Sequence, residues 1–269
     1  MSIRARVISP LTVAVVAASG LVGIAASPSH AASADIFVSN GVLHYVGAPF
    51  SDDNQIVVFK NTNGAHRVLE QSANPGIDVT PGPGCVRIFG TKSVQCTGNI
   101  TSVRVDLGPG NDSAQINTEL PTTVLGGDDN DTYIGGTHRL VDDSHSVTFF
   151  GGPGMDTASY EFSTARVLVD IGTAKDEADD GRIVDTDNIA SDVENLTGST
   201  FSDSLRGNEG DNKIIGGRGA DALRGGQGND TIIAADGQID TVDLSCGKGM
   251  DTITLDALDP APSECEIVN

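Results

Sequence analysis

Tryptophan is absent from this 269-residue chain, and aromatic side chains make up only 4% of it. Basic residues are also scarce: 16 lysines and arginines face 37 aspartates and glutamates, for a formal net charge of −21. A surface that negative repels nucleic acid and anionic lipid, and it attracts cations. The four cysteines never form C-x-x-C, the spacing typical of structural zinc sites and redox motifs. H-E-x-x-H and G-x-S-x-G are both missing, which removes the usual signatures of zinc proteases and serine hydrolases. Runs of helix-favouring residues are few. After residue 31 no apolar stretch is long enough to cross a bilayer.

What is abundant is glycine, 33 residues, together with short β-branched clusters such as IFVS, QIVVF, SVRVDL and RVLVDI. Clusters of this length, bounded by turn residues, predict an all-β chain. The first 31 residues differ from the rest. MSIRARVISPLTVAVVAASGLVGIAASPSHA carries Arg4 and Arg6, then an apolar run, then small residues. That order predicts an N-terminal Sec-type export signal, cut after Ala31 or, given A-S-A at 32–34, after Ala34. Pro10, Gly20 and Gly23 argue against a retained membrane anchor. Removing the signal takes away two arginines and no acid, leaving 14 basic and 37 acidic residues and a net charge of −23.

The acids are not evenly spread. From Gly198 a nine-residue frame holds four times: GSTFSDSLR, GNEGDNKII, GGRGADALR and GGQGNDTII. Its sixth positions are Asp203, Asn212, Asp221 and Asp230; its eighth are Leu205, Ile214, Leu223 and Ile232. Gly207, Gly210, Gly216, Gly217, Gly219, Gly225, Gly226 and Gly228 permit a tight turn with backbone carbonyls aimed inward. The last three residues of a unit form a short strand whose middle side chain faces the core. Two units then make one coil, and residues 18 apart stack: Asp203 with Asp221 on one edge, Asn212 with Asp230 on the other. Stacked coils lie about 4.8 Å apart and Ca²⁺–oxygen distances are about 2.3–2.6 Å, so a calcium ion fits midway. Without it, carboxylates about 5 Å apart repel by roughly 1 kcal/mol in water, and by more in a drier turn. Arg206 and Arg224 are expected to point outward from one sheet. Ile215 and Ile233 are expected to point outward from the other, beneath some cover. One aliphatic per unit makes a thin core, so calcium is expected to be part of the fold itself.

This frame is the G-G-x-G-x-D-x-U-x pattern, and residues 198–233 closely resemble the RTX, or hemolysin-type, calcium-binding repeat family. The resemblance implies a right-handed parallel β-roll with Ca²⁺ as its cofactor, and Asp203, Asn212, Asp221 and Asp230 as metal ligands. Calcium suits such turns better than magnesium because it tolerates irregular oxygen shells. Weaker copies surround the array: LGPGNDSAQI with Asp112, GGDDNDTYI with Asp131, GGPGMDTAS with Asp156, GQIDTVDL with Asp240 and CGKGMDTIT with Asp251. Each of these five is weighed evenly between calcium ligand and plain turn residue. Asp131 follows Asp112, and Asp240 follows Asp221, by one coil plus a one-residue bulge. Asp156 and Asp251 are expected to stand out of register. Asp176, Asp179 and Asp180 beside Gly181 read as a solvated acidic loop.

The expected organisation is a signal over 1–31, a small antiparallel β region over 32–105, degenerate repeats and irregular β coils over 106–197, the calcium-binding β-roll over 198–245, and a C-terminal cap over 246–269. The antiparallel region lacks the nonapeptide and caps the solenoid, since repeat arrays need non-repeating ends. Four cysteines in an exported chain read as two disulfides. In CVRIFGTKSVQC, a two-residue loop at Gly90–Thr91 places Cys85 opposite Cys96 as a hydrogen-bonded pair about 5.5 Å apart. Cys246 and Cys265 then tie the C-terminal segment to the last coil.

Catalysis is not expected. His44, His66, His138 and His145 are the only histidines past the signal. The VDDSH run at 141–145 lacks any reason to adopt triad geometry and reads as a loop. A β-helix lyase or epimerase acting on polysaccharide is the enzymatic alternative, but it would want basic residues facing an acidic sugar. The layout as a whole also resembles secreted calcium-binding proteins of actinobacteria. It differs from RTX toxins in carrying an N-terminal rather than a C-terminal export signal. The expected role is a secreted structural or surface-interaction module ordered by calcium. An extracellular protein or a cell-surface polysaccharide is the expected class of partner; nucleic acid and membrane insertion are not expected.

Overall fold

The computed structural model describes residues 33–49, 53–72, 78–136, 146–172, 181–182, 187–240 and 245–269. Among these residues every regular element is a strand. From Ser102 onward the chain winds back and forth between two faces, and each strand pairs in parallel with the strand one coil away, except Gly181–Arg182, which runs antiparallel to Val167–Asp170. One face is a single 12-stranded sheet. The other is divided between a 7-stranded sheet and a 5-stranded sheet. The result is the all-β solenoid that the nonapeptide frame predicts, with a short antiparallel region before it.

The repeat units set the register. Leu205 pairs with Leu223 in one sheet and Ile214 with Ile232 in the other, 18 residues apart in each case. All four are at most 1% exposed, and they continue the buried column of Leu196 and Ile253. Arg206 and Arg224 point outward, as expected, and Arg206 pairs with Asp170 at 3.3 Å. Ile215 and Ile233 are half-buried and lie side by side in register, so lateral stacking supplies part of the cover that their position calls for.

The N-terminal end is more heavily packed. A hairpin joins Ser33–Ser39 to Val42–Val46 through Asn40 and Gly41, both at positive φ, the signature of a type I′ turn. Val42–Val46 and Gln55–Lys60 also pair in parallel with Ser102–Pro109 and Ser113–Asn117. The antiparallel region therefore supplies the first coil as well as the cap. Tyr45, Tyr133, Phe149 and Tyr160 are fully buried here, whereas the repeats bury only aliphatics.

Both disulfides form as expected, Cys85–Cys96 and Cys246–Cys265. The geometry of the first differs from the expectation. Its Cα atoms are 4.1 Å apart, a non-hydrogen-bonded pair. The reason is the loop: Ile88 N–H bonds Ser93 O at 2.8 Å, so the turn holds four residues instead of two and the bonding alternation shifts by one. The second disulfide anchors the C-terminal segment, whose strand Ile267–Val268 pairs in parallel with Thr252–Thr254.

Candidate metal centre

Along each edge of the solenoid, a backbone N–H at one coil donates to a carboxylate Oδ1 at the next. The first ladder starts at Asn54 N–H, which bonds Asp112. Asp112 N–H bonds Asp131 at 2.9 Å, Asp131 N–H bonds Asp156 at 2.8 Å, and Asp156 N–H bonds Glu194 Oε2 at 2.8 Å. Asn212 carries the column past Glu194. Its Nδ2 donates to Glu194 O at 3.0 Å and its N–H donates to Asp230 at 2.8 Å. Asp230 N–H then bonds Asp251 at 2.7 Å, and Asp251 N–H bonds Glu266 Oε2 at 2.9 Å. The second ladder runs from Val167 N–H to Asp203, Asp221, Asp240 and Asp259, with bonds of 2.8, 2.8, 2.9 and 3.1 Å.

Nine sequence-derived candidates thus fall on two columns. Asp203 stacks with Asp221 and Asn212 with Asp230, as the 18-residue coil requires. Asp156 and Asp251 are in register after all. Their coils are longer, 25 and 21 residues, yet the stacked rung is in place. Glu194, Asp259 and Glu266 are ladder members that the nonapeptide pattern does not mark. Two of them keep a weaker signal: ENL at 194–196 and EIV at 266–268 preserve an acid two residues before an aliphatic. The Asp176–Asp180 loop, His138, His145 and the VDDSH run lie outside the described residues. His44 stacks on Phe37 with ring centroids 4.7 Å apart, and His66 faces Cys96 across the sheet.

The rungs differ in what their second oxygen meets. The Oδ2 atoms of Asp112, Asp131, Asp156, Asp230, Asp240 and Asp251 are buried with no hydrogen-bond partner. A buried ionised oxygen left alone is costly, so these positions call for a proton or a cation. Other rungs are satisfied by the protein. Asp203 accepts from Ser199 Oγ at 2.9 and 3.0 Å as well as from the backbone N–H groups of Ser199 and Val167. Asn212 Oδ1 accepts from Asn208 N–H at 2.8 Å. Asp187, fully buried, takes hydroxyl protons from Tyr133 and Tyr160 at 3.0 and 3.2 Å and the N–H of Val147 at 3.0 Å.

Burial, reinforced by neighbouring carboxylates, pushes the carboxyls upward. Asp221 rises to about 7, with Asp203 and Asp240 adding to desolvation, and Asp230 to about 7, with Asp251 adding. Asp240 rises to about 6 with Asp259 beside it. Asp112, Asp131 and Asp156 rise to about 8, 7 and 6 for the same reason. Each shift is held in check by the ladder bond, which favours the ionised form.

The turns also supply neutral oxygens. A Cβ on Gly225 would collide with both Asp230 Oδ2 and the carbonyl oxygen of Cys246, so that carboxylate and that carbonyl meet at one glycine. Gly226, at φ +120°, is packed against the Asn208 carbonyl in the same way. No three His, Cys, Asp or Glu side chains come together among the described residues. A cation here would have to be held by one or two carboxylates completed by backbone carbonyls. An all-oxygen, irregular donor set of this kind fits calcium.

Residues 197–232 match the RTX calcium-binding nonapeptide repeat in four copies. Repeats of this kind bind calcium ions, and the oxygen-lined turns agree with that chemistry. No curated protein matches the chain.

Proposed function

We propose that the mature chain is a secreted structural or surface-interaction module whose roll, residues 198–245 with its cap at 246–269, is ordered by extracellular calcium. The observation that carries this reading is the row of buried, partnerless Oδ2 atoms on Asp230, Asp240 and Asp251, in and just beyond the matched repeats. Asp221 belongs with them by its place between Asp203 and Asp240 and by its raised pKa. Asp203 and Asn212 are secondary ligands at most, because protein donors already occupy their oxygens.

Export through the signal at 1–31 fits the two disulfides, which persist in oxidising surroundings. A cut after Ala31 would leave the first strand, Ser33–Ser39, whole. A groove beside the roll, about 440 Å³, presents Glu194 and Glu209 and no basic side chain, so nothing in it favours an acidic sugar or the lyase alternative. An extracellular protein or a cell-surface polysaccharide remains the proposed partner class.

The test is a calcium titration of the Asp230→Asn/Asp251→Asn variant. Removing two charged ligands should raise the calcium midpoint for folding at least about tenfold, the equivalent of about 1.4 kcal/mol. An unchanged midpoint would overturn the assignment.

A further inference from the structure

We infer that Asp112, Asp131 and Asp156 form a second calcium-binding column, outside the matched repeats and loaded independently of them. Three observations carry it.

The first is the state of the carboxylates themselves. Asp112, Asp131 and Asp156 are 2%, 1% and 0% exposed, and the Oδ2 of each has no hydrogen-bond partner. Burial alone does not produce that condition in this part of the chain. Asp187, equally buried and only one turn away along the coil, is fully occupied by two tyrosine hydroxyls and a backbone N–H. The protein thus satisfies both oxygens where a carboxylate is structural, whereas in this column it supplies donors to Oδ1 and none to Oδ2.

The second is what surrounds the carboxylates of Asp131 and Asp156. A Cβ placed on Gly126 would collide with Asp131 Oδ2 and with the carbonyl oxygen of Gly151 together. One on Gly154 would collide with the Asp129 carbonyl and come within 3.3 Å of Asp156 Oδ1. Acidic and carbonyl oxygens therefore converge where two coils stack, and glycine is what keeps the space open. Hydrogen-bond donors would be needed to satisfy these oxygens without a metal; a hard divalent cation satisfies several of them at once.

The third is the separation from the repeats. Between Asp156 and Asp230 the column passes through Glu194 and Asn212. Asn212 is neutral, and both ends of its amide are engaged, with Asn208 and Glu194. A charge-neutral rung whose oxygen is already occupied interrupts the row of cation-seeking oxygens. The cation is identified as calcium on the strength of the repeat reading, but the existence of the column stands on its own oxygens.

The three tyrosines of the chain, Tyr45, Tyr133 and Tyr160, offer a reporter, because none lies in the repeats and tryptophan is absent. Tyr45 OH bonds Asn54 Oδ1 at 3.1 Å, and Asn54 Nδ2 bonds Asp112 Oδ1 at 3.1 Å. Terbium, a luminescent substitute for calcium, emits when excited through a nearby tyrosine. The wild-type mature protein should show tyrosine-sensitised terbium emission that excess calcium abolishes. The Asp131→Asn/Asp156→Asn variant should lose most of it and bind fewer calcium ions at equilibrium dialysis. The Asp230→Asn/Asp251→Asn variant should keep the emission while losing ions from the repeats. Absence of sensitised emission in the wild type overturns the column, and so does emission that survives in the first variant or disappears only in the second. If the first variant does not fold in calcium, the wild-type emission and its displacement by calcium decide the matter. A repeat variant that loses no ions would sink the proposed function and leave this column standing.

Discussion

Stripped of calcium at neutral pH, the mature protein should lose its strands from Ser204–Arg206 to Thr252–Thr254, while those from Ser33–Ser39 to Thr157–Ser159 should persist. The two ends of the solenoid are stabilised differently. Each repeat strand contributes one buried aliphatic, Leu205, Ile214, Leu223, Ile232 or Ile253. At about 1.5–3 kcal/mol for a fully buried side chain, this does not offset ordering three to nine residues at about 1–2 kcal/mol each. Stacked carboxylates add repulsion of roughly 1 kcal/mol per pair or more. The N-terminal end buries Tyr45, Phe149, Tyr133 and Tyr160 and carries the antiparallel cap and the Cys85–Cys96 bond. Amide hydrogen exchange in chelator should show protection collapsing in the repeats and surviving before Tyr160. Uniform protection, or uniform loss, would contradict this division.

In calcium-free solution, acidification from pH 8 to pH 5 should restore β structure that chelation removed. The folded chain holds Asp221 and Asp230 at about 7 and Asp240 at about 6, well above about 3.9 for an unfolded aspartate. Between about pH 4 and pH 7 the folded state therefore binds more protons than the unfolded one. The stabilisation by protonation is fully present below the unfolded value and is lost as pH rises through 6 to 7. A proton then does at the orphaned Oδ2 of Asp230 and Asp240 part of what calcium does at higher pH. Calcium affinity should move the other way, falling on acidification because protons compete for the same oxygens. Far-UV circular dichroism of the stripped protein along that pH range measures the effect. A signal that stays flat, or declines toward pH 5, would remove the buried carboxylates as the cause of instability.

Much of this was written in the repeat itself. The spacing of Asp203, Asn212, Asp221 and Asp230, together with the strand period, is enough to place them on two edges, because an uninterrupted 18-residue coil leaves no freedom of register. Spacing misled at Asp156 and Asp251. A count along the chain cannot tell an insertion that shifts a rung from one that the coil absorbs, and here both rungs stay stacked. Nor could residue type reveal which carboxylates are already satisfied. Ser199, where other units carry a second glycine or an asparagine, turns out to bond Asp203, and the contacts of Tyr133 and Tyr160 with Asp187 span 54 and 27 residues. The disulfide partners followed from hairpin symmetry, yet the four-residue loop changed the type of pair they form.

The account rests on calcium ordering the roll through carboxylate oxygens that the protein leaves without donors. Far-UV circular dichroism of the mature protein, titrated with calcium from chelator and repeated with magnesium, tests this most directly. A cooperative gain of β signal with calcium, and little or none with magnesium, is the predicted result. A protein whose roll is already folded in chelator at neutral pH, with a spectrum indifferent to calcium, would contradict it.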